Sequence, residues 1–243
     1  RVFPLGALTR GLRGEVLTEM VSLAQAGCIG FGQADVPLPT LQMLSRALQY
    51  ASTFGYTVWL RPQDRDLGTG VVASGPLATR MGLTGVPVAA ETIAIFSILE
   101  LMRSSGARVH LCRISSAAGL ELVRQAKAEG LPLTCDVSIH SLHLIDTDIG
   151  YFDSRSHLKP PLRQQRDRDA IGRALADGTV DALVSDHSPI DEDQKTLPFA
   201  ESEAGASAVE LLLGMALKWA EAGGVALPRA LQVLTSAPAD ILA

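Results

Sequence analysis

The groups with the clearest chemical potential lie in Val184-Ser185-Asp186-His187-Ser188-Pro189-Ile190, a stretch that follows the Asp177-Gly178-Thr179 turn and a short apolar run. An acid and an imidazole side by side at the end of a buried strand are what general acid–base or metal-assisted hydrolysis uses. Parallel α/β enzymes keep such groups at the carboxyl ends of their strands. Divalent-metal hydrolysis needs more His, Asp or Glu ligands on the same rim and one open position for water. The other candidates, in order of the expected strand ends, are Asp35 in Gly32-Gln33-Ala34-Asp35, Arg61 and Asp64 in Arg61-Pro62-Gln63-Asp64, His110 and Arg113 in His110-Leu111-Cys112-Arg113, and the pair His140 and His143.

Most of these have an ordinary structural role to weigh against chemistry. His110 alternates with Cys112 inside an expected strand, which suits a packed, hydrogen-bonded imidazole better than a ligand. His140 and His143, three apart with no third ligand nearby, are a weak metal signal. His157 precedes the stiff Lys159-Pro160-Pro161 segment and is expected to be solvated. Asp35, just before a proline loop, suits a turn or cap. Arg61 and Arg113 are more telling, because a guanidinium cannot ligate a cation and repels one. Their expected partners are Asp64, Asp136 or Asp186 across the top of a sheet.

The elements that must position these groups alternate between strand and helix. Strands are expected over residues 2–8, 28–31, 56–60, 108–114, 132–137 and 180–185, and helices over 15–25, 40–53, 89–103, 117–129, 206–222 and 228–234. Apolar periodicity and terminal glycines such as Gly27 and Gly55 mark their ends. Residues 61–87 are Gly-rich and aperiodic, the pattern of a long loop across the mouth of the sheet. Buried strands alternating with helices imply a parallel sheet with helices outside it. A closed (β/α)8 barrel needs eight strands and six are expected, so the fold is either an open sheet or most of a barrel whose first two strands precede Arg1. The abrupt entry Arg1-Val2-Phe3 favours the second.

With 243 residues and a hydrophobic share of 47%, the chain can build a sizeable core. A formal charge of -5 with no basic run gives no footprint for nucleic acid or an anionic membrane. Cys28, Cys112 and Cys135 lack Cys-x-x-Cys spacing and suit reduced, buried thiols rather than a disulfide or a zinc-thiolate site. No apolar run approaches the roughly 20 residues of a membrane span, and no secretory signal is evident. A cytoplasmic location is expected.

Several segments together, in order, resemble dihydroorotases of the amidohydrolase superfamily. They are Leu5-Gly6-Ala7-Leu8-Thr9-Arg10-Gly11-Leu12, Gly82-Leu83-Thr84-Gly85-Val86-Pro87 with Ala90-Glu91, Ala126-Lys127-Ala128-Glu129-Gly130-Leu131-Pro132, Pro160-Pro161-Leu162-Arg163, Asp177-Gly178-Thr179 and Ser185-Asp186-His187-Ser188-Pro189. Ser236-Ala237-Pro238-Ala239 is similar to the family's Asn-Pro-Ala segment. The resemblance runs along essentially the whole chain. It implies an α/β fold of the (β/α)8 amidohydrolase type, with residues 1–243 forming one barrel domain that lacks the first two strands and the small β-domain. It also implies a zinc site hydrolysing the cyclic amide of dihydroorotate in pyrimidine biosynthesis.

The residues that the resemblance assigns to that site depart from the family pattern. The His-x-His motif of the first strand has no counterpart here. Ala34, in Gln33-Ala34-Asp35, stands where active members carry Asp-Asp-Gly, unless Asp35 takes the acid's place. Arg61 and Arg113 stand at two metal-histidine positions, with His110, Ile114 and Ser115 kept around the second. Lys159 replaces a substrate-binding asparagine, and Ile190 replaces the last histidine of Thr-Asp-His-Ala-Pro-His. Asp186 is retained at the position of the general base, and His187 at a substrate-binding one. The expectation is a catalytically silent homologue, with a vestigial Asp186 and no metal or other cofactor, similar to the pseudo-dihydroorotases that assemble with aspartate transcarbamoylase catalytic chains. A salt link from Asp186 to Arg61 or Arg113 would replace metal attraction. The alternatives are an active zinc-dependent cyclic amidohydrolase using His140, His143, Asp186 and His187, or a module that binds a small molecule without chemistry.

Overall fold

The computed structural model describes residues 2–242. In chain order the strands are β1 (Leu5–Ala7), β2 (Gly30–Gly32), β3 (Thr57–Leu60), β4 (Val72–Ala73), β5 (Gly85–Val86), β6 (Arg108–Leu111), β7 (Leu133–Ser138) and β8 (Ala182–Val184). The helices are α1 (Met20–Gln25), α2 (Leu41–Phe54), α3 (Pro76–Met81), α4 (Val88–Ser105), α5 (Ala117–Ala128), α6 (Ile139–His143), α7 (Gln165–Asp177), α8 (Glu192–Lys195), α9 (Leu212–Gly223), α10 (Leu227–Gln232) and α11 (Ser236–Ile241).

Six strands form one parallel sheet in the order β1-β2-β3-β6-β7-β8, which is chain order without a crossover. Helices α2, α4, α5 and α7 touch one another in the same sequence. Neighbouring strands joined by neighbouring helices give a single helical layer, the wall of a (β/α) barrel rather than a doubly wound sheet. The core lies between these layers. In α2, Leu44, Ala47, Leu48 and Ala51 repeat at helical spacing and are buried, and they pack in one cluster with Phe31, Val58 and Ile95. Each fully buried leucine in such a layer contributes about 1.5–3 kcal/mol.

Local chemistry fixes the ends of these helices. The Thr40 side chain accepts a hydrogen bond from the Met43 amide at 3.3 Å and opens α2, and Gly55 closes it in the left-handed region at φ 69°. The Ser116 side chain caps α5 through the Gly119 amide at 3.0 Å.

The expected strands are all present, most of them shorter. The first helix starts at Met20 rather than residue 15, because residues before it are held against β1. Leu17 bridges Thr9, and the Thr18 hydroxyl donates to the Ala7 carbonyl at 2.5 Å. Residues 61–87 are not a plain loop. They hold β4, α3 and β5, and the two strands pair in parallel as a second small sheet. This unit packs on Ile149, Leu158, Leu162 and Phe199 as a separate apolar cluster beside the main core. Helix α7 was not expected. Its buried apolar stripe is only Ile171, Ala174 and Leu175 on an otherwise charged segment, so periodicity gave little signal. The expected helix over 206–222 begins at Leu212, since Ala206 is drawn into a bridge with His187. No helix among the described residues is long and apolar enough to cross a membrane.

Candidate functional site

The carboxyl ends of the strands surround a cavity of about 440 Å³, whose lining includes Trp59, Arg61, Cys112, Arg113, Asp136 and Asp186. Gly32 and β1 complete its side. At Gly32 a Cβ would sit 2.9 Å from the Trp59 carbonyl, so the close approach of β2 to β3 requires glycine there.

Three residues just past strand ends hold left-handed backbone without being glycine: Ala34 at φ 50°, Arg113 at φ 57° and Asp186 at φ 50°. This conformation costs of order 1–3 kcal/mol and persists where surrounding contacts impose it. For Arg113 the contacts are visible. Its amide donates to Asp136 Oδ1 at 2.7 Å. The following turn is clamped by Glu91 of α4, which is buried and accepts from the Ser115 amide at 2.8 Å, the Ser116 amide at 3.0 Å and both hydroxyls at 2.5 Å. Asp167 of α7 accepts from the Ala117 amide at 2.9 Å, so two carboxylates meet the amino end of α5. Arg163 backs the clamp, donating to the Ser115 hydroxyl at 3.1 Å and the Val86 carbonyl at 2.9 Å.

Across the mouth of the cavity runs an ion-pair chain. Arg113 donates to Asp186 Oδ1 at 2.9 Å and also to Asp35 Oδ1. Arg61 donates to the Asp35 carbonyl at 2.8 Å and to Gln63, and its Nε lies 3.3 Å from Asp35 Oδ1 without hydrogen-bond geometry. Burial, and then the neighbouring Arg113 charge, lower the Arg61 pKa. For Arg113, burial opposes the charge, but Asp186 and Asp35 outweigh it and raise the pKa. Two cations and two anions alternate, a charge-assisted network in which Asp35 is exposed, Arg113 and Asp186 are mostly enclosed and Arg61 is buried.

Below this chain lies a second polar group. The register pairs His110 with Thr134 on the neighbouring strand. His110 Nδ1 is therefore 2.8 Å from Thr134 Oγ1, and Nε2 is 2.8 Å from Asp136 Oδ2, one step farther along β7. The imidazole packs on Trp59 with ring centres 4.1 Å apart. Cys112 joins them from the end of β6, and its thiol is pushed well above the ordinary range by burial and then by Asp136.

The sequence candidates divide cleanly. Asp186 and Arg113 meet, and Arg61 reaches the same network through Asp35, which is no mere turn acid. Asp64 does serve a turn, accepting from the amides of Asp66 and Leu67. His187 points away from the cavity: its Nδ1 accepts from the amides of Ala208 at 3.0 Å and Val209 at 3.3 Å, fixing the chain before α9. Lys159 is exposed, and its carbonyl, not its amine, faces the site, accepting from Arg113 at 3.4 Å.

The set His140, His143, Asp186 and His187 is not assembled. His143 Nε2 lies 3.0 Å from the Met215 carbonyl of α9. Of these histidines, His140 is the one whose ring Asp186 acts on. Burial lowers its pKa against the pull of Asp186, and its buried Nε2 has no partner. His157 corrects the expectation of a solvated ring. It is buried, stacked on Phe199 with centres 5.1 Å apart and 3.0 Å from the Ser202 hydroxyl, because the small second sheet and its cluster cover that loop. Sequence reasoning passes over Trp59, takes Cys112 only as a buried thiol, and names Asp136 only as a partner of Arg61 or Arg113, whose side chains do not reach it although the Arg113 amide does. An acid inside an apolar strand was the available signal for Asp136.

Comparison with known proteins places these features in context. A family model described as "Dihydro-orotase-like" matches residues 1–118. A "Dihydroorotase-like protein" of Pseudomonas putida is 44% identical over 243 residues, which is 100% of this chain and 57% of that protein. A "Dihydroorotase" of Geobacter sp. (strain M21) is 38% identical over 242 residues, 99% of this chain and 57% of that protein. The chain thus spans little more than half the length of the curated relatives it matches. Among solved structures, the L-hydantoinase (dihydropyrimidinase) of Arthrobacter aurescens superposes with a TM-score of 0.84 at 22% identity, over 98% of this chain and 55% of its own. The dihydroorotase of Saccharomyces cerevisiae, solved with 5-fluoroorotic acid, superposes with a TM-score of 0.75 at 13% identity, over 97% of this chain and 65% of its own. These two likenesses show the fold, that of a (β/α) barrel.

Proposed function

Since the chain belongs to the dihydroorotase-like family, we propose that it is a non-catalytic member acting in pyrimidine biosynthesis as a scaffold for aspartate transcarbamoylase catalytic chains. The observation that carries this reading is the alternating chain Arg61–Asp35–Arg113–Asp186 across the cavity mouth. The family implies zinc at this rim, and the residues present do not fit it. Two guanidinium groups stand at ligand positions, where each adds a positive charge and offers no lone pair. Asp35 and Asp186, the carboxylates of the mouth, are already paired with those guanidiniums. Asp186, held by Arg113, is a structural acid in this arrangement rather than a proton relay. The scaffold role rests on the likeness to pseudo-dihydroorotases and on a barrel wall whose packing is intact.

Co-purification of the full-length protein with transcarbamoylase catalytic chains is the test. A joint particle is expected, with transcarbamoylase assembly size and activity falling when this protein is left out. Chains that sediment separately and keep the same size and activity in both preparations would overturn the scaffold role.

A further inference from the structure

We propose that His110, Cys112 and Asp136 form a single binding site for a thiophilic divalent cation of the zinc or cobalt class, at the floor of the cavity and separate from the ion-paired mouth. One donor atom from each residue lies within 4.8 Å of the other two. Cys112 and Asp136 line the cavity while His110 is buried behind them, so a cation held by the three keeps a coordination position facing the open volume.

Nitrogen, sulfur and oxygen donors together suit a borderline-soft ion in tetrahedral geometry. With bonds of about 2.0–2.3 Å, such a site needs donors about 3.3–3.6 Å apart. The His110 to Asp136 separation of 2.8 Å has to widen by about half an ångström.

The supporting contacts are already those of a metal site. Nδ1 of His110 is held by the Thr134 hydroxyl at 2.8 Å and the second carboxylate oxygen of Asp136 by the Arg113 amide at 2.7 Å, so the ion would take the place of the Nε2 to Oδ2 contact between the two residues. On binding, the Cys112 sulfur forms its bond to the cation and gives its thiol proton to solvent. His110 ligates through Nε2 in its Nδ1–H tautomer: the proton that Nε2 holds toward Asp136 leaves to solvent and Nδ1 takes one up, donating it in a hydrogen bond to the Thr134 hydroxyl, while Asp136 binds through its carboxylate oxygen. A divalent ion with one thiolate and one carboxylate has no net charge. The guanidiniums of Arg61 and Arg113, already matched by Asp35 and Asp186, therefore do not expel it.

This site does not depend on the scaffold role, and it implies no hydrolysis. Titrating metal-free full-length protein with cobalt(II) tests it. One equivalent is expected to bind, with a thiolate-to-cobalt charge-transfer band and the intense visible absorption of tetrahedral cobalt, both displaced by zinc. Cys112→Ser is expected to abolish the charge-transfer band and weaken binding by on the order of 100-fold or more. Cys28→Ser, Cys135→Ser and Asp186→Asn are expected to leave the spectrum unchanged, and His110→Asn to change it. Absence of stoichiometric binding, a spectrum without thiolate character, or loss of the band in Asp186→Asn with retention in Cys112→Ser would overturn the proposal.

Discussion

Replacing Glu91 with alanine is expected to lower the unfolding free energy by about 4 kcal/mol and to loosen the turn that carries Arg113. The magnitude follows from what the carboxylate holds. It takes two backbone amides and two hydroxyls, all buried. Hydroxyls can rotate to other acceptors, and the Ser116 oxygen already receives the Gly119 amide. The amides of Ser115 and Ser116 cannot, and each buried donor left alone costs about 1–3 kcal/mol. Glu91→Gln keeps the volume and one acceptor but turns an amide NH2 toward donors, so roughly half the loss is expected. Urea unfolding measures both values, and hydrogen exchange at residues 113–117 should accelerate more than in α2. A loss below about 1 kcal/mol for the alanine variant would mean that the clamp contributes little.

Arg113→Ala is expected to cost about 3 kcal/mol, chiefly because Asp186 loses its partner in a largely enclosed position. Removing one member of a buried pair typically costs about 3–5 kcal/mol, and the lower end applies here because Asp35 is 57% exposed and screened by solvent. Two further variants separate charge from backbone. Arg113→Gly should be less harmful than Arg113→Ala, since glycine accepts the φ of 57° without strain. Arg113→Ala with Asp186→Ala should recover much of the loss, giving a coupling energy of about 2 kcal/mol in a double-mutant cycle. Additive losses in thermal or urea unfolding would instead mean that the ion pair is incidental.

Much of the wall of this barrel is legible in the residues. Strands and the large helices announce themselves because their burial has a period, as in Leu44, Ala47, Leu48 and Ala51. Helix α7 did not, since it buries so few apolar residues among Arg and Asp side chains. The small β4–β5 sheet was hidden in a Gly-rich segment whose strands are two residues long, too short for any alternation to show.

At the site, Arg61, Arg113 and Asp186 were visible as residue types out of place for a metal rim, and a link from Arg113 to Asp186 was anticipated. The role of Asp35 was not. It depends on Ala34 adopting left-handed backbone, which no spacing rule reveals. Likewise His187 adjoins Asp186 in sequence yet turns the other way, because the strand has ended and alternation no longer governs direction. The grouping of His110 with Asp136 is a matter of register between two strands, information that a single strand does not carry.

Dihydroorotate turnover by the full-length protein, purified with zinc present, tests the central claim most directly when wild type and Asp186→Ala are assayed side by side. If the mouth of the cavity is closed by paired charges, neither protein hydrolyses dihydroorotate above the uncatalysed rate. Turnover by the wild type that Asp186→Ala abolishes would contradict this account and make Asp186 a working general base.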